Sequence, residues 1–424
     1  MKKLFCIAVS LLFVILCATP AFAVDSGYEI PYSDDVDWNK FRDQGITLRV
    51  YNWGEYISVN DGECLYDTNA EFEKLTGIKV DYTLFATNEE MYARIKTGGA
   101  SYDIIIPSDY MISRMINEGM LEKLDFSNIP NFKHINDDLI CPDYDRTNEY
   151  SVPYTWGIVG IIYNKNMVDL ENDEIDSWDI LWDAKYSDSI FMFSNPRDTV
   201  GISLKRLGYS YNTTDKEEIN AAYEALKEQK NIVQAYVMDE IFDKMGGGEA
   251  ALAPYYAGDA ITMMNDNPDL GFVIPKEGSN LYVDALCIPK GSKNKEAAEL
   301  YINFMCETLT ALKNCEYINY STPHKEAFKY LDEEIQNSVS YPSAEILGKA
   351  EAYTALPADI TKLEDDLWTD LMSDGDGNAA TVIIFIVACI AASIGINILK
   401  YRRKRKILLE EAEGEEAERA EEIK

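Results

Sequence analysis

Histidine is almost absent from this chain of 424 residues and occurs only at His134 and His324, far apart in the sequence. No HExxH, GxSxG, P-loop or GxGxxG motif is present. The triple glycine at 246–248 is followed by Glu249 and lacks the Lys-Ser/Thr pair of a phosphate-binding loop, so it predicts a turn. No group of residues has metal-ligand spacing. These absences argue against an enzyme, a metal site and a cofactor, and they favour a binding function.

Cysteine pairs are also scarce, because none of the eight cysteines forms a CxxC motif. Cys6, Cys17 and Cys389 lie in the terminal segments described below. The other five are Cys64, Cys141, Cys287, Cys306 and Cys315. An odd number leaves at least one thiol unpaired within the chain. Cys306 and Cys315 could form a disulfide bond, but buried free thiols are the favoured interpretation.

Basic residues are the minority among the charged ones: 39 Lys and Arg stand against 73 Asp and Glu, for a formal net charge of −34. This balance argues against nucleic acid as a partner and against binding of the body to anionic lipid. It permits a cationic ligand. Many exported proteins are acidic for solubility alone, so charge by itself supports such a ligand only weakly.

The N-terminal residues 1–23 have the pattern of a secretory signal peptide. Lys2 and Lys3 precede an apolar stretch that ends at Leu16, and Ala21-Phe22-Ala23 supplies the cleavage pattern. Leu16 is too large for the position before the cysteine of a lipoprotein signal. The sequence therefore predicts export without lipidation.

The C-terminal end predicts a membrane anchor. Residues 379–399 carry no charge and are long enough to cross a bilayer. Six basic residues follow between 400 and 406, which marks the cytoplasmic side. The glycine- and aspartate-rich residues 373–378 predict a flexible stalk, and 400–424 a basic and then acidic cytoplasmic tail. We expect a single-pass protein of the cell membrane, with its body in the periplasm or outside the cell.

Strand-like and helix-like segments alternate through the body, which predicts an α/β fold with a largely parallel sheet. Helical spacing over 63–76 places Leu65, Phe72 and Leu75 on one side, with Gly77 as the C-terminal stop. The body has about 350 residues, more than one hydrophobic core usually holds, so two lobes are expected. The predicted strands are 46–51, 78–84, 102–107, 158–163, 190–193 and 281–288. The remaining predicted helices are 89–97, 111–119, 216–227 and 294–305.

Aromatic residues occur beside carboxylates at several loop-like positions. These are Trp53 and Tyr56, Tyr255 and Tyr256 with Asp259, Tyr282 with Asp284, and Tyr320. Aromatic faces attract alkylammonium groups, and carboxylates give them charge-assisted hydrogen bonds. An aliphatic chain between two ammonium ends would lie against the rings. The pattern alone does not bring these segments together, and each aromatic taken singly is more often a core residue.

Several long motifs occur in order through the body, from about Leu48 to His324: YNWGEYI at 51–57, EFEKLTGIKV at 71–80, YSVPYTWGIVGIIYN at 150–164, GGEAALAPYYAGDA at 247–260 and NLYVDALCIPKGSKNKEAA at 280–298. With these motifs the body resembles the spermidine/putrescine-binding proteins of bacterial polyamine ABC transporters. The resemblance implies a two-lobed clamshell of the type II periplasmic-binding-protein kind and no catalytic step. It implies one lobe from 47–154 plus 280–328 and another from 155–279 plus 329–372. The chain would cross between them near Pro153–Trp156 and Pro275–Asn280.

The resemblance also implies a ligand site, carried over position by position. Its expected residues are Trp53, Tyr56, Phe85, Ser108, Asp198, Tyr256, Asp259, Tyr282, Asp284 and Tyr320. Asp198 and Asp284 would each hold an ammonium group, and the aromatic residues would cover the alkyl chain. Glu351 and Tyr353 are further candidates from the C-terminal part of the body.

Two positions bear on ligand preference. Asn195 stands where spermidine-preferring members have an additional Asp, and Asp259 matches an acid of putrescine-preferring members. The resemblance therefore favours putrescine, with spermidine as the other polyamine to consider, and it implies the subunits of an ABC permease as partners. A binding protein for another cationic metabolite and a membrane-anchored sensor ectodomain are the alternatives. The short tail carries no signalling domain, which disfavours a sensor.

Overall fold

The computed structural model describes residues 28–62, 64–98 and 101–373. Two compact units divide the chain, Met1–Asp365 and Asp366–Lys424. The predicted signal peptide, membrane span and cytoplasmic tail lie outside the described residues, as does the stalk except for Ser373. Within the described ranges, no helix combines the length and apolar character needed to cross a membrane.

Nine strands are formed by the described residues. They are β1 (Thr47–Trp53), β2 (Lys79–Phe85), β3 (Ile104–Ile105), β4 (Ser151–Asn164), β5 (Ile190–Phe193), β6 (Val233–Val237), β7 (Leu252–Tyr256), β8 (Leu270–Val273) and β9 (Leu281–Cys287).

Helices lie between and after these strands. The α-helices are α1 (Thr68–Thr76), α2 (Asn88–Lys96), α3 (Asp109–Asn117), α4 (Pro196–Arg206), α5 (Lys216–Gln229), α6 (Ile241–Gly246), α7 (Ala257–Asp266), α8 (Lys295–Met305), α9 (Thr308–Ile318), α10 (Lys325–Phe328), α11 (Glu333–Gln336), α12 (Ala344–Leu347) and α13 (Ala358–Ser373). Short 3-10 helices span Phe126–Asn128, Pro130–His134, Asp137–Leu139, Asp143–Asp145, Trp178–Trp182 and Ala184–Tyr186.

The strands pair in the order β2-β1-β3-β9-β4-β7-β5-β6, and β8 pairs with β4. Pairs of β1 with β2 and β3, and of β5 with β6 and β7, are parallel. All pairs that involve β4 or β9 are antiparallel. The fold is therefore mixed α/β, and the expectation of a largely parallel sheet holds only at the two ends of the strand order.

Strand β4 connects the two halves of this order and is much longer than the predicted 158–163. Its first half, up to Ile158, pairs with β9, and from Val159 onward it pairs with β7 and β8. Pro153 lies at a register shift between β4 and β9, where a missing N–H donor is tolerated. The strand predicted from the sequence was too short, because a proline argues against a central strand unless a bulge accommodates it.

Helix α1 begins five residues later than the predicted 63–76. The Asp67 side chain accepts a hydrogen bond from the Ala70 backbone N–H and so caps the helix at its start. Gly77 adopts the left-handed conformation with φ of 76°, which confirms the predicted C-terminal stop. Phe72 is fully buried, whereas Leu65 lies before the helix and is 53% exposed, so the prediction that it shares a helical side with Phe72 is wrong.

The five cysteines of the described residues are free thiols, as favoured from the sequence, but only Cys287, Cys306 and Cys315 are buried, whereas Cys64 is partly exposed and Cys141 is exposed. Cys306 and Cys315 are both buried and not bridged. The Cys315 thiol donates to the backbone oxygen of Tyr320 at 2.8 Å, so it has a hydrogen-bonding role in this fold.

Candidate functional site

Nine of the ten residues expected from the sequence line a single cavity, although they come from segments far apart in the chain. Strands β1, β7 and β9 and the first turns of α4 and α7 supply six of them, and Tyr56, Ser108 and Tyr320 lie outside the strands and α-helices. They are Trp53, Tyr56, Ser108, Asp198, Tyr256, Asp259, Tyr282, Asp284 and Tyr320. The cavity has a volume of about 50 Å³. On the same measure one water needs about 10–15 Å³, so the space suits a slender group.

Phe85 is the exception. It is buried behind Trp53, with the two ring centroids 4.5 Å apart, and it belongs to the hydrophobic cluster around Tyr51 and Met91. It is absent from the cavity lining. Its aromatic character therefore supports Trp53 from the core side, and the expected contact with a ligand has no geometric basis here.

Asp284 lies on β9 and is only 6% exposed. The Tyr56 hydroxyl donates a 2.6 Å hydrogen bond to Oδ2, and Tyr56 also contacts the Thr155 hydroxyl. Oδ1 has no hydrogen-bond partner among the described residues. Burial raises the pKa of Asp284 to about 6, although the nearby hydroxyls of Ser108 and Tyr56 counteract it. Asp284 is thus a buried acid with one vacant acceptor.

Asp198 lies in the first turn of α4, where Asn195 is the N-cap residue. Its Oδ2 accepts from Asn195 Nδ2 at 2.8 Å and from the Tyr256 hydroxyl at 2.6 Å. Burial raises the pKa of Asp198, and the hydroxyls of Tyr256 and Tyr353 and the charge of Arg197 oppose this rise. Asn195 also caps α4 by accepting from the Arg197 N–H, so it fixes the helix and the acid together.

Asp259 occupies the first turn of α7 and is buried. Burial raises its pKa well above the ordinary value of a carboxyl group, and the negative charges of Asp239, Glu55 and Asp284 raise it further. The nearby Tyr320 hydroxyl acts in the opposite direction. Several acids therefore repel one another here, and a cation would relieve that repulsion.

Tyrosine rings enclose the space between the acids. Tyr56 and Tyr320 meet edge to face with centroids 4.6 Å apart, and Tyr256 and Tyr282 do so at 5.2 Å. Trp53 is oriented by a hydrogen bond of 2.9 Å from its indole N–H to the Ile106 carbonyl. Rings held in this way present fixed faces to an alkyl or alkylammonium group.

Several residues of the lining escaped the sequence-based prediction. Tyr110, Asn88 and Asn280 line the cavity, as does Tyr353, which the sequence offered only as a candidate. Tyr110 is two positions after Ser108, and Asn88 donates to both side chains, at 3.2 and 3.0 Å. The spacing from Ser108 to Tyr110 was the available signal. The sequence contains no comparable signal for Asn88 and Asn280, because a single asparagine forms no recognisable motif.

Positive charge is missing from this cavity. Among the described residues that line it, four are aspartates (Asp198, Asp239, Asp259 and Asp284) and none is Lys, Arg or His. Asp239 and Asp259 also line a second cavity of about 820 Å³. That outer cavity adds five more carboxylates, those of Glu55, Asp61, Asp243, Asp266 and Glu316, and one lysine, Lys313, which pairs with Glu316 at 2.9 Å. A cation approaching from outside would meet negative charge along this path.

The two histidines, distant in the sequence, stack with ring centroids 5.0 Å apart. His324 caps α10 by accepting from the Ala327 N–H, and its other ring nitrogen contacts the Cys306 carbonyl. Burial lowers the pKa of His324 to about 4, so the ring is neutral. Across the described ranges, no group of three His, Cys, Asp or Glu residues is arranged to hold a metal ion.

Comparison with known proteins gives a consistent result. Residues 68–343 match the family of bacterial extracellular solute-binding proteins. A spermidine/putrescine-binding periplasmic protein of Salmonella typhimurium is 38% identical over 307 residues, which cover 72% of this chain and 86% of the relative. A putrescine-binding periplasmic protein of Pseudomonas aeruginosa is 29% identical, and the match covers 77% of this chain and 92% of that protein.

A solved structure is similar in fold as well. The spermidine/putrescine ABC transporter substrate-binding protein of Streptococcus pneumoniae superimposes with a TM-score of 0.65 at 37% identity. The match covers 77% of this chain and 99% of that one.

Proposed function

The chain belongs to the family of bacterial extracellular solute-binding proteins, and from this membership we propose that it captures a polyamine and delivers it to an ABC permease. Relatives with 37–38% identity carry the name spermidine/putrescine-binding protein, which supports this ligand class. The proposal includes no catalytic step and no nucleic acid.

One observation carries the proposal: four aspartates and several tyrosine rings, with no basic side chain, are the described residues that line a narrow cavity. Buried carboxylates are costly unless a partner compensates their charge. A protonated diamine supplies two positive charges and an alkyl chain, and it fits acids that are separated by aromatic rings. Asp284, with a vacant oxygen, is the strongest candidate for an ammonium contact.

We favour putrescine over spermidine. Asp259 adds an acid to the cavity lining, and Asn195 adds no second carboxylate beside Asp198. Because Asn195 and Tyr256 already donate to Asp198 Oδ2, that carboxylate has less capacity for a further ammonium group. A single carboxylate at this position, with an amide in place of a second one, favours the polyamine with fewer ammonium groups.

Ligand capture would proceed by closure of two lobes, one from 47–154 plus 280–328 and the other from 155–279 plus 329–372. The change of partners along β4 is consistent with a connection of this kind. Hinge closure around a ligand is common in binding proteins built from two lobes.

Isothermal titration calorimetry of the full chain in detergent tests the proposal. We expect binding of putrescine ahead of spermidine, cadaverine and spermine. Ligand at 100 times its Kd should stabilise the folded state by about 2.7 kcal/mol, which thermal unfolding detects. Lysine, arginine and choline serve as controls for other cationic metabolites. If a folded sample binds only one of these controls, that compound replaces the polyamine as the proposed ligand. If spermidine binds more tightly than putrescine, only the proposed preference for putrescine is rejected.

Anchoring through residues 379–399, with residues 400–424 in the cytoplasm, is the second part of the proposal. An uncharged stretch followed by a basic cluster supports it. In cells, an epitope after residue 424 should resist external protease while the body is digested. Alkaline carbonate should leave the chain in the membrane fraction. Release of an intact body into the medium would contradict the anchor, and a growth response that survives loss of the permease would favour a sensor ectodomain.

A further inference from the structure

Asn280 precedes β9 and shares one face of the extended chain with Tyr282 and Asp284. All three line the cavity described above. Asn280 is 2% exposed, so it is as deeply buried as the residues of the core. Its position between β8 and β9 gave no reason from the sequence to consider it as a ligand contact.

The two ends of the Asn280 side chain differ in their partners. Nδ2 donates to the backbone oxygen of Glu351 at 3.3 Å. No hydrogen-bond partner for Oδ1 exists among the described residues. A buried amide oxygen without a partner is destabilising, so a native protein rarely keeps one without a reason.

Glu351 fixes the direction of this amide. Its carbonyl accepts from the Leu281 N–H at 3.0 Å, and its own N–H donates to the Ser279 carbonyl at 3.0 Å. Its carboxylate accepts from Lys205 and Ser210, both at 2.5 Å. With Nδ2 held on this segment, Oδ1 is the end of the Asn280 amide that stays free for an N–H donor in the cavity.

We propose that Asn280 is a further ligand-binding residue, whose side-chain oxygen accepts an N–H from the ammonium group farthest from Asp284. This inference rests on the proposed function. Four residues of extended chain separate the two Cα atoms by about 13 Å, and Tyr282 lies between them. The arrangement suits a chain with an N–H donor at each end and methylene groups against the ring. An amide oxygen provides the acceptor without adding another buried negative charge to the cavity.

The test compares a diamine with a monoamine. Asn280→Leu keeps the size of the side chain but removes the acceptor. Putrescine and n-butylamine are titrated into the full-length wild type and variant, with displacement titration for the weaker ligand. We expect about tenfold weaker putrescine binding, as for one lost hydrogen bond to a charged group, and n-butylamine affinity within about twofold, because its single ammonium group uses Asp284.

Asn52→Leu is the matched control. Asn52 is 1% exposed, donates to the Tyr82 hydroxyl at 2.7 Å and also has an oxygen without a partner, but it does not line the cavity. We expect this variant to bind both ligands with affinities within about twofold of the wild type, even if its stability falls. If Asn280→Leu does not fold, Asn280→Ser allows the same comparison, because the serine side chain is too short for its hydroxyl to reach the ligand.

The outcomes are distinct. A loss confined to putrescine supports a direct contact. Equal losses for both ligands assign Asn280 a structural role through Glu351 and overturn the inference, as does unchanged putrescine affinity, while either result leaves the proposed function intact. A folded wild type that binds no polyamine overturns the proposed function and this inference together.

Discussion

The Tyr56 hydroxyl donates a 2.6 Å hydrogen bond to one oxygen of Asp284, and the other oxygen of that carboxylate has no partner among the described residues. Tyr56 thereby holds the carboxylate in one orientation, with the vacant oxygen available to a ligand. The same burial that makes this oxygen costly to leave unpaired would strengthen its interaction with an ammonium group.

Replacement of this acid should weaken binding and stabilise the empty protein. Asp284→Asn is expected to lower putrescine affinity at least about tenfold, because the charge that pairs with the ammonium group is lost. At pH 7.5 the ligand-free variant should unfold at a higher temperature than the wild type, since a buried unpaired charge has been removed. Calorimetry and thermal unfolding measure the two effects.

Asp103→Asn is the control for this change. Asp103 is also buried, but it accepts from the Arg49 N–H at 3.0 Å and the Ser292 hydroxyl at 2.7 Å and lies away from the cavity. This variant should lose stability and keep its ligand affinity. If Asp284→Asn leaves putrescine binding at the wild-type level, Asp284 is not the ammonium site.

Affinity should depend on pH through Asp284. Its pKa is raised from 3.8 to about 6 by burial, so its contribution to the stability of the empty protein is full below 3.8 and is lost as the pH rises through about 6. A cationic ligand needs the ionised form. We therefore expect putrescine affinity to fall as the pH is lowered from about 7.5 to about 5, while the amines themselves stay protonated.

Titration calorimetry at a series of pH values, in buffers of different ionisation enthalpy, checks this dependence and counts the protons released on binding. Asp284→Asn should flatten the part of the profile near pH 6. Asp198 and Asp259 also have raised pKa values, so they should leave a residual dependence in the same direction. A wild-type affinity that is constant over this range would contradict an ionised Asp284 in the complex.

Asn195→Asp should move the preference toward spermidine. The substitution adds an acid next to Asp198, where Asn195 Nδ2 now donates at 2.8 Å. The empty variant should be less stable, because two carboxylates would repel each other at this distance. Competition titration should show the ratio of spermidine to putrescine affinity rise by about tenfold, as for one additional charged contact. If the ratio of spermidine to putrescine affinity is unchanged, Asn195 does not determine the ligand preference.

The outer acidic cavity should accelerate capture. Asp243 and Asp266 line that cavity but not the inner one. The double variant Asp243→Asn, Asp266→Asn should lower the association rate of putrescine at low salt and leave the dissociation rate unchanged, since remote charges steer the encounter without contacting the bound ligand. Stopped-flow fluorescence at several salt concentrations measures both rates.

Asp137→Asn with Asp138→Asn makes the same change in net charge at exposed positions outside both cavities. Equal slowing in the two double variants would assign the effect to overall charge rather than to the outer cavity.

The sequence by itself determined the alternation of strands and helices, because apolar periodicity and local caps act over a few residues. The strand at 190–193 was predicted with the bounds it has in the structure, and Gly77 ends α1 as expected. Motifs that resemble a known family also predicted that Asp198, Asp259, Asp284 and several tyrosines belong to one site, and these residues line one cavity. These residues carry their chemical character wherever the fold places them.

The tertiary structure decided which atoms are available. Phe85 looks like a ligand contact in the sequence, yet packing turns its ring toward the core behind Trp53. Asp198 Oδ2 accepts from both Asn195 and Tyr256, whereas Asp284 Oδ2 accepts from Tyr56 and its Oδ1 has no partner among the described residues. Asn280 was recognised as a candidate ligand contact only in the structure, where its amide nitrogen donates to the backbone oxygen of Glu351, 71 residues later in the chain. Burial and hydrogen-bond pairing depend on contacts between distant segments, and periodicity over a few residues carries no information about them.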